Sequence, residues 1–271
     1  MRIAVLGLGA IGTLLTRTLD GHASVVPVDR TKAPLDGRGG EPVDIAIVTT
    51  KSQGTAWAAE TASRVLGKHG TVLTIQNGLG HREQLAATLG DDRVAVGVIY
   101  VGAALDGDQL RTTGPGRVEL GRARHVDELA ATLQAGGMTA AVVDDPWPAV
   151  WRKLVGNAAV NPVSALVGVT NGELLDHLAS RIVDGAAMEA ARVASAEGVP
   201  IADDEAIRLW RSMAELTASN RSSMLQDVRS GRPTEIDWIN GEVVRRGAHH
   251  GVPTPVNEAL LKLLEVLEAY P

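Results

Sequence analysis

The sequence predicts a doubly wound α/β domain followed by an all-α domain, and three observations carry that reading. Short β-branched runs alternate with amphipathic stretches of helix length up to about residue 145, a rhythm that implies right-handed parallel crossovers. Beyond residue 148 the spacing of Ala, Leu, Val and Met is helical throughout, with Gly or Pro between segments. The segment Asp144-Asp145-Pro146-Trp147-Pro148 lies between the two regimes, so the domains are expected at 1–147 and 148–271. A chain of 271 residues suits two domains at about 150 residues each.

Taken in order, residues 3–6, 25–28, 45–49, 71–75 and 94–100 read as strands, with helices at 11–20, 53–67 and 80–89. Residues 31–42, with Gly37, Gly39, Gly40 and two prolines, read as a loop in place of a second crossover helix. Residues 109–113, a Gly114-Pro115-Gly116 turn and residues 117–120 read as an antiparallel hairpin, and 138–143 as a closing strand. Helices are expected at 149–167, 172–197, 203–230, 234–250 and 256–269.

Composition excludes several function classes. Lys and Arg total 26 against 32 Asp and Glu, and a net charge of −6 repels phosphate backbones and anionic lipid, so neither nucleic acid nor a membrane is an expected partner. At 45% hydrophobic and 21% charged residues the chain can bury a core, which excludes disorder. Cysteine is absent, which removes disulfides, thiolate zinc sites and cysteine nucleophiles and suits a cytoplasmic protein. No signal peptide or apolar span is apparent. His249-His250 lacks a further ligand at usable spacing, so no metal is expected.

Gly7-Leu8-Gly9-Ala10-Ile11-Gly12 sits between a predicted strand and a predicted helix. Its glycines permit a tight turn, close backbone approach to a pyrophosphate, and close helix–strand packing, while the helix N-terminus attracts negative charge. The motif in this setting predicts a Rossmann dinucleotide-binding domain. At the end of the second strand Arg30, with Lys32 behind it, suits a 2′-phosphate and favours NADP(H), whereas Asp29 would hydrogen-bond a free ribose hydroxyl and keeps NAD(H) in play. Lys51-Ser52-Gln53 and Gln76-Asn77-Gly78 follow the third and fourth strands, where cofactor contacts are expected in an open α/β sheet.

Lys153, Asn157 and Asn161 recur every four residues, so each lies only about 40° around a helix from the last and the three span about 12 Å of one face. Asparagine is a poor helix former, and two of them in register with a lysine just before the helix-breaking Pro162 cost stability without structural need. That span is enough to line a small polar substrate from end to end.

Together with Thr170-Asn171-Gly172-Glu173-Leu174, Ser222-Ser223-Met224-Leu225-Gln226-Asp227 and Thr234-Glu235-Ile236-Asp237-Trp238-Ile239-Asn240-Gly241, these motifs resemble the ketopantoate reductase (2-dehydropantoate 2-reductase) family from residue 1 to about 260. The resemblance implies an NADPH-dependent reductase of a 2-keto acid in pantothenate biosynthesis. It implies Lys153 as the catalytic lysine and Asn157, Asn161, Asn171, Asn220 and Ser223 as substrate contacts. Glu235 would stand beside the nicotinamide ribose and the reacting centre. Gly7, Leu8, Gly9, Ala10, Ile11, Gly12, Arg30, Lys51, Asn77 and Ala103 would contact the cofactor. On residue type alone, Glu235 reads equally well as a helix start after Pro233-Thr234, and Ser223 as a solvated helix residue. Alternatives to this function are a related reductase of another 2-keto acid and an NADP-binding regulatory protein without turnover. A monomer or homodimer is expected.

Overall fold

The computed structural model describes residues 1–30, 41–107, 109–113 and 116–270. Lys32, most of the expected 31–42 loop, and Gly114-Pro115 lie outside the described residues. The chain forms two compact units, one of Met1–Gln76 with Gly80–Pro146, the other of Asn77–Leu79 with Trp147–Pro271.

The first unit is a seven-stranded sheet with helices on both faces. Its elements are β1 (Arg2–Leu6), α1 (Ala10–Leu19), β2 (Ser24–Val28), β3 (Val43–Val48), α2 (Thr55–Val65), β4 (Leu66–Thr74), α3 (His81–Leu89), β5 (Val94–Tyr100), β6 (Ala103–Asp106), β7 (Gln109–Thr112), β8 (Arg117–Gly121), α4 (Val126–Ala135) and β9 (Thr139–Val143). The order β2-β1-β3-β4-β5-β8-β9 is parallel except where β8 runs antiparallel to β5. Strand alternation divides the core: Ile3 and Val5 pack with Leu14, Leu15, Leu129 and Leu133 on one face, Ala4 and Leu6 with Ala58, Ala62 and Leu85 on the other. Because the chain leaves β1 for β2 on one side and returns to β3 on the other, the topological switch point lies at the carboxyl ends of β1 and β3.

One expectation for this unit is corrected, and one helix is added to the expected elements. Residues 109–112 pair with β6, Ala103 opposite Thr112, around Gly107 at φ +58°, and not with residues 117–120. The segment 109–112 leaves only Leu110 partly buried, whereas β8 buries Val118 and Leu120, so β8 takes the place beside β5 and the small hairpin stands apart. Helix α4 went unread, although Val126, Leu129, Ala130 and Leu133 have helical spacing, Asp127 and Glu128 sit in the first turn and Gly136-Gly137 follows the end. It makes β8–α4–β9 another parallel crossover.

The second unit contains α5 (Trp147–Val167), α6 (Ser180–Ala196), α7 (Asp203–Leu216), α8 (Ser223–Arg229), α9 (Ile236–His250) and α10 (Pro255–Ala269), with no strand among its described residues. Trp151 and Trp210 are buried in it, and Trp210 Nε1 donates to Asp184 Oδ1 at 2.8 Å. The single helices expected at 172–197 and 203–230 are each divided. Gly172–Leu175 forms a separate 3₁₀ turn, and the chain between α7 and α8 breaks at Thr217–Ser222, where Asn220 N turns back to Thr217 O and Ser222 caps α8 by accepting Leu225 N at 3.0 Å. Pro162 lies inside α5, which keeps the expected span to residue 167 in spite of that helix-breaking residue. The helix runs on to Val167, buried on most sides, and the carbonyl of Ala158 that Pro162 cannot serve accepts a hydrogen bond from Asn240 Nδ2 at 2.9 Å.

Candidate active site

At the switch point of the first unit, Gly7 takes φ +104° and donates from N to Val28 O at 2.9 Å. A Cβ on Gly12 would lie 1.9 Å from Gly7 O, so no larger residue fits there. A Cβ on Gly9 would meet nothing within 4 Å, which leaves open space over the backbone at the start of α1. That helix has neither a side-chain cap nor an acidic residue in its first turn, so its N-terminal N–H groups and dipole face this space without a competing carboxylate. These features fit a dinucleotide pyrophosphate. Leu8, Ala10 and Ile11 are half-buried around the turn, and Thr49 Oγ1 donates to Gly7 O at 2.6 Å, a support that the sequence reading missed because it comes from the residue after β3, forty-two residues on.

Arg30 is exposed at the end of β2, with Asp29 half-buried before it. Lys51 is exposed at the head of the Ser52–Gly54 3₁₀ turn after β3. A buried polar group holds that turn: Gln76 Nε2 donates to Thr50 O at 3.1 Å and Thr55 Oγ1 at 3.0 Å, and His81 lies between Ser52 Oγ at 3.4 Å and Thr55 Oγ1 at 3.3 Å. Neither His81 nor Thr55 was singled out from sequence. Ala103 opens β6, in the hairpin that packs on α1.

In the second unit Lys153 is half-buried, and desolvation pulls its pKa from 10.5 down to about 8 against the opposing pull of the Glu235 carboxylate. Lys153 and Glu235 are therefore electrostatic neighbours. Glu235 is 5% exposed at the N-cap position of α9 and its carbonyl accepts Trp238 N and Ile239 N, both at 3.1 Å. The same turn of α9 receives Asn77–Leu79: Leu79 N donates to Trp238 O at 2.9 Å, and Gly78 at φ +90° has no room for a Cβ, which would lie 2.3 Å from Trp238 O. Asn77 thus enters the second unit beside the turn that carries Glu235.

Asn157 and Asn161 are buried on the Lys153 face of α5, and their amides take no part in the hydrogen bonding among the described residues. Asn171 N donates to Asn220 O at 2.9 Å, which brings two expected substrate contacts together across the break between α7 and α8. Asn171 Nδ2 donates to Thr217 Oγ1 at 2.9 Å while its buried Oδ1 has no partner among the described residues. Ser223 is half-buried as the first residue of α8, and its neighbour Ser222 is fully packed, with its Oγ 2.6 Å from Ser164 Oγ on α5. The cap thereby fixes the start of α8 against α5. A lysine of lowered pKa, a buried carboxylate and a set of neutral amides can protonate a developing alkoxide and orient a small polar anion.

Residues 34–125 match the family described as ketopantoate reductase PanE/ApbA, and residues 145–268 match its C-terminal counterpart. The 2-dehydropantoate 2-reductase of Halobacterium salinarum is 34% identical over 305 aligned positions, covering 99% of each chain. The chain belongs to the ketopantoate reductase family. The Archaeoglobus fulgidus member named 2-dehydropantoate 2-reductase is 35% identical, covering 84% of this chain and 78% of its own. Among solved structures, a PanE/ApbA family ketopantoate reductase from Ralstonia eutropha superposes with a TM-score of 0.88 at 29% identity, covering 99% of both chains. A D-mandelate dehydrogenase in complex with NADH gives 0.88 at 26% identity, again covering 99% of both.

Proposed function

We propose that this member of the family reduces 2-dehydropantoate to pantoate with NADPH, the step that supplies pantoate for pantothenate, a coenzyme A precursor. The observation that carries the reading is Lys153, drawn down to about 8 beside Glu235 on a helix face shared with Asn157 and Asn161. The curated relatives named for this reaction support the substrate, and Arg30 at the end of β2 supports the 2′-phosphate. The turn Gly7 to Gly12, with Lys51, Asn77 and Ala103, would hold the dinucleotide.

A nicotinamide held by the first unit would supply the hydride for the carbonyl carbon. Lys153 Nζ–H₃⁺ gives its proton to the carbonyl oxygen as that oxygen becomes an alkoxide, and a pKa near the working pH keeps the donor both charged and able to part with the proton. Glu235 favours the protonated lysine. Asn157, Asn161, Asn171, Asn220 and Ser223 orient the carboxylate and hydroxyl groups of the keto acid without a second cation to compete with Lys153.

Loss of NADPH absorbance with a panel of 2-keto acids tests the reading. Turnover of 2-dehydropantoate above all others is expected, and no turnover of it excludes the proposal. A second reading, an NADH-dependent reductase of another 2-keto acid, is favoured by Asp29 and by the likeness to a D-mandelate dehydrogenase that binds NADH. The same panel run with both cofactors separates the two. The lack of cysteine suits a cytoplasmic enzyme. Among the described residues no helix is long and apolar enough to cross a membrane. Sedimentation would decide between monomer and homodimer.

A further inference from the structure

Pro162 lies directly after Asn161 and has no N–H, so Ala158 O loses the backbone donor four residues on. The gap falls in the same turns of α5 that carry Asn157 and Asn161, about 100° around the helix from their face, and Ala158 is fully buried, so water is not at hand to fill it. Asn240, on α9 and itself fully buried, fills it with Nδ2 at 2.9 Å. The same Nδ2 donates to Asn257 Oδ1 at 2.9 Å. Asn257 Nδ2 in turn donates to Glu189 Oε2 at 2.8 Å and Ala186 O at 3.1 Å. The Glu189 carboxylate also accepts Val256 N and Asn257 N, each at 2.9 Å, at the start of α10.

The direction of this chain is set from its acid end. Both Glu189 oxygens accept N–H groups at the start of α10, so Asn257 turns its NH₂ to Glu189 and its Oδ1 to α9, and Asn240 then presents NH₂ to Asn257 and Ala158. Asn240 Oδ1 has no partner among the described residues, so the residue acts through its N–H groups alone. An apolar side chain of the same size would avoid burying that oxygen, yet it could not donate to Ala158 O.

We propose that Asn240 is a positioning residue, which replaces the backbone donor that Pro162 lacks and so keeps Asn161 in line with Asn157 and Lys153. Glu189 and Asn257 hold its amide in the donating orientation. The catalytic meaning of the alignment rests on the function proposed above.

The experiment compares N240L, P162A and N240L/P162A with the parent. P162A restores an N–H to residue 162, which makes the Asn240 donor to Ala158 redundant. In the parent background N240L should raise the KM for 2-dehydropantoate and lower kcat, with kcat/KM down by about tenfold or more, as misplacement by a fraction of an ångström does. The KM for NADPH should hold within about twofold, because the nucleotide turn is in the first unit. In the P162A background N240L should cost at most about threefold in kcat/KM, although the unpaired Asn257 Oδ1 still lowers the melting temperature in both. Equal losses of kcat/KM in the two backgrounds, or no loss in a folded N240L, would overturn the proposal.

Backbone hydrogen exchange over residues 159–167 reads the repair without substrate: faster in N240L than in the parent, and near the P162A rate in the double variant. A parent that does not turn over 2-dehydropantoate therefore defeats the proposed function, while unchanged exchange in N240L defeats the positioning role. If N240L does not fold, N240D, which keeps the size and loses the donor, is measured in both backgrounds against the same outcomes.

Discussion

Replacing Lys153 with methionine removes the ammonium and keeps an unbranched side chain in its place. Burial takes this lysine from 10.5 to about 8, a gap worth about 3 kcal/mol at roughly 1.4 kcal/mol per pH unit. That is the net cost of holding Lys153 charged in the fold, with the attraction of Glu235 already included. Below pH 8 both the folded and unfolded chains hold the proton, and the folded state carries the whole cost. Between about 8 and 10.5 only the unfolded chain holds it, so native stability rises with pH across that window and the cost fades. The methionine variant should therefore be more stable than the parent by about 1–3 kcal/mol near neutral pH, and the gain should shrink by about half near pH 9.5. Its kcat should fall by about 10²–10⁴, or roughly 3–5 kcal/mol, the usual worth of a general acid. Urea denaturation at the two pH values and steady-state kinetics with NADPH read both effects. A variant that keeps more than about a tenth of parental kcat, a loss under about 1.4 kcal/mol, shows that Lys153 is not the acid. A variant less stable than the parent near neutral pH shows that the lysine is not held there at a cost.

The parent's kcat should decline about tenfold per pH unit above about 8, as the acid loses its proton, and a profile flat to pH 10 would contradict the assignment. Arg30→Ala should weaken NADPH by about 10–100-fold, the worth of one charged hydrogen-bonded pair, and NADH by far less; equal losses in cofactor titrations would remove Arg30 from the 2′-phosphate. Gly9→Ala should melt like the parent yet bind NADPH at least about tenfold more weakly, because its methyl enters open space where the pyrophosphate is placed, whereas Gly12→Ala should lower the melting temperature because its Cβ would lie 1.9 Å from Gly7 O. Asn157→Ala and Asn161→Ala should act mainly through the KM for the keto acid, because those amides hold the ground state as well as the transition state, and a loss confined to kcat would argue otherwise.

Both the doubly wound sheet and the helical second half were legible in the chain, because strand and helix periodicities of 2 and 3.6 are local properties of the hydrophobic pattern. The glycine turn was legible for a similar reason, since the clash at Gly12 is with Gly7 O only five residues away. So was the face of Lys153, Asn157 and Asn161, which a four-residue spacing places on one side of any helix. What the hairpin pairing of β7 with β6 required was competition between strands for the edge of β5, and that is decided by which segment buries Val118 and Leu120. The breaks at Gly172–Leu175 and Thr217–Ser222 are likewise joint products, since the backbone groups freed at each are taken up by the other: Gly172 N by Ala218 O, Asn171 N by Asn220 O. Pro162 shows the limit most directly. Its local rule says that a helix loses a hydrogen bond there, which is true, but the donor that lets α5 continue comes from Asn240, oriented through Asn257 by Glu189, residues that stand 17 to 82 positions from their partners in sequence and in contact only once the helices have packed. The sequence alone determines which atoms can bond and which faces can form. Tertiary structure decides which of those bonds are made, because burial removes water as the alternative partner for every polar group it encloses.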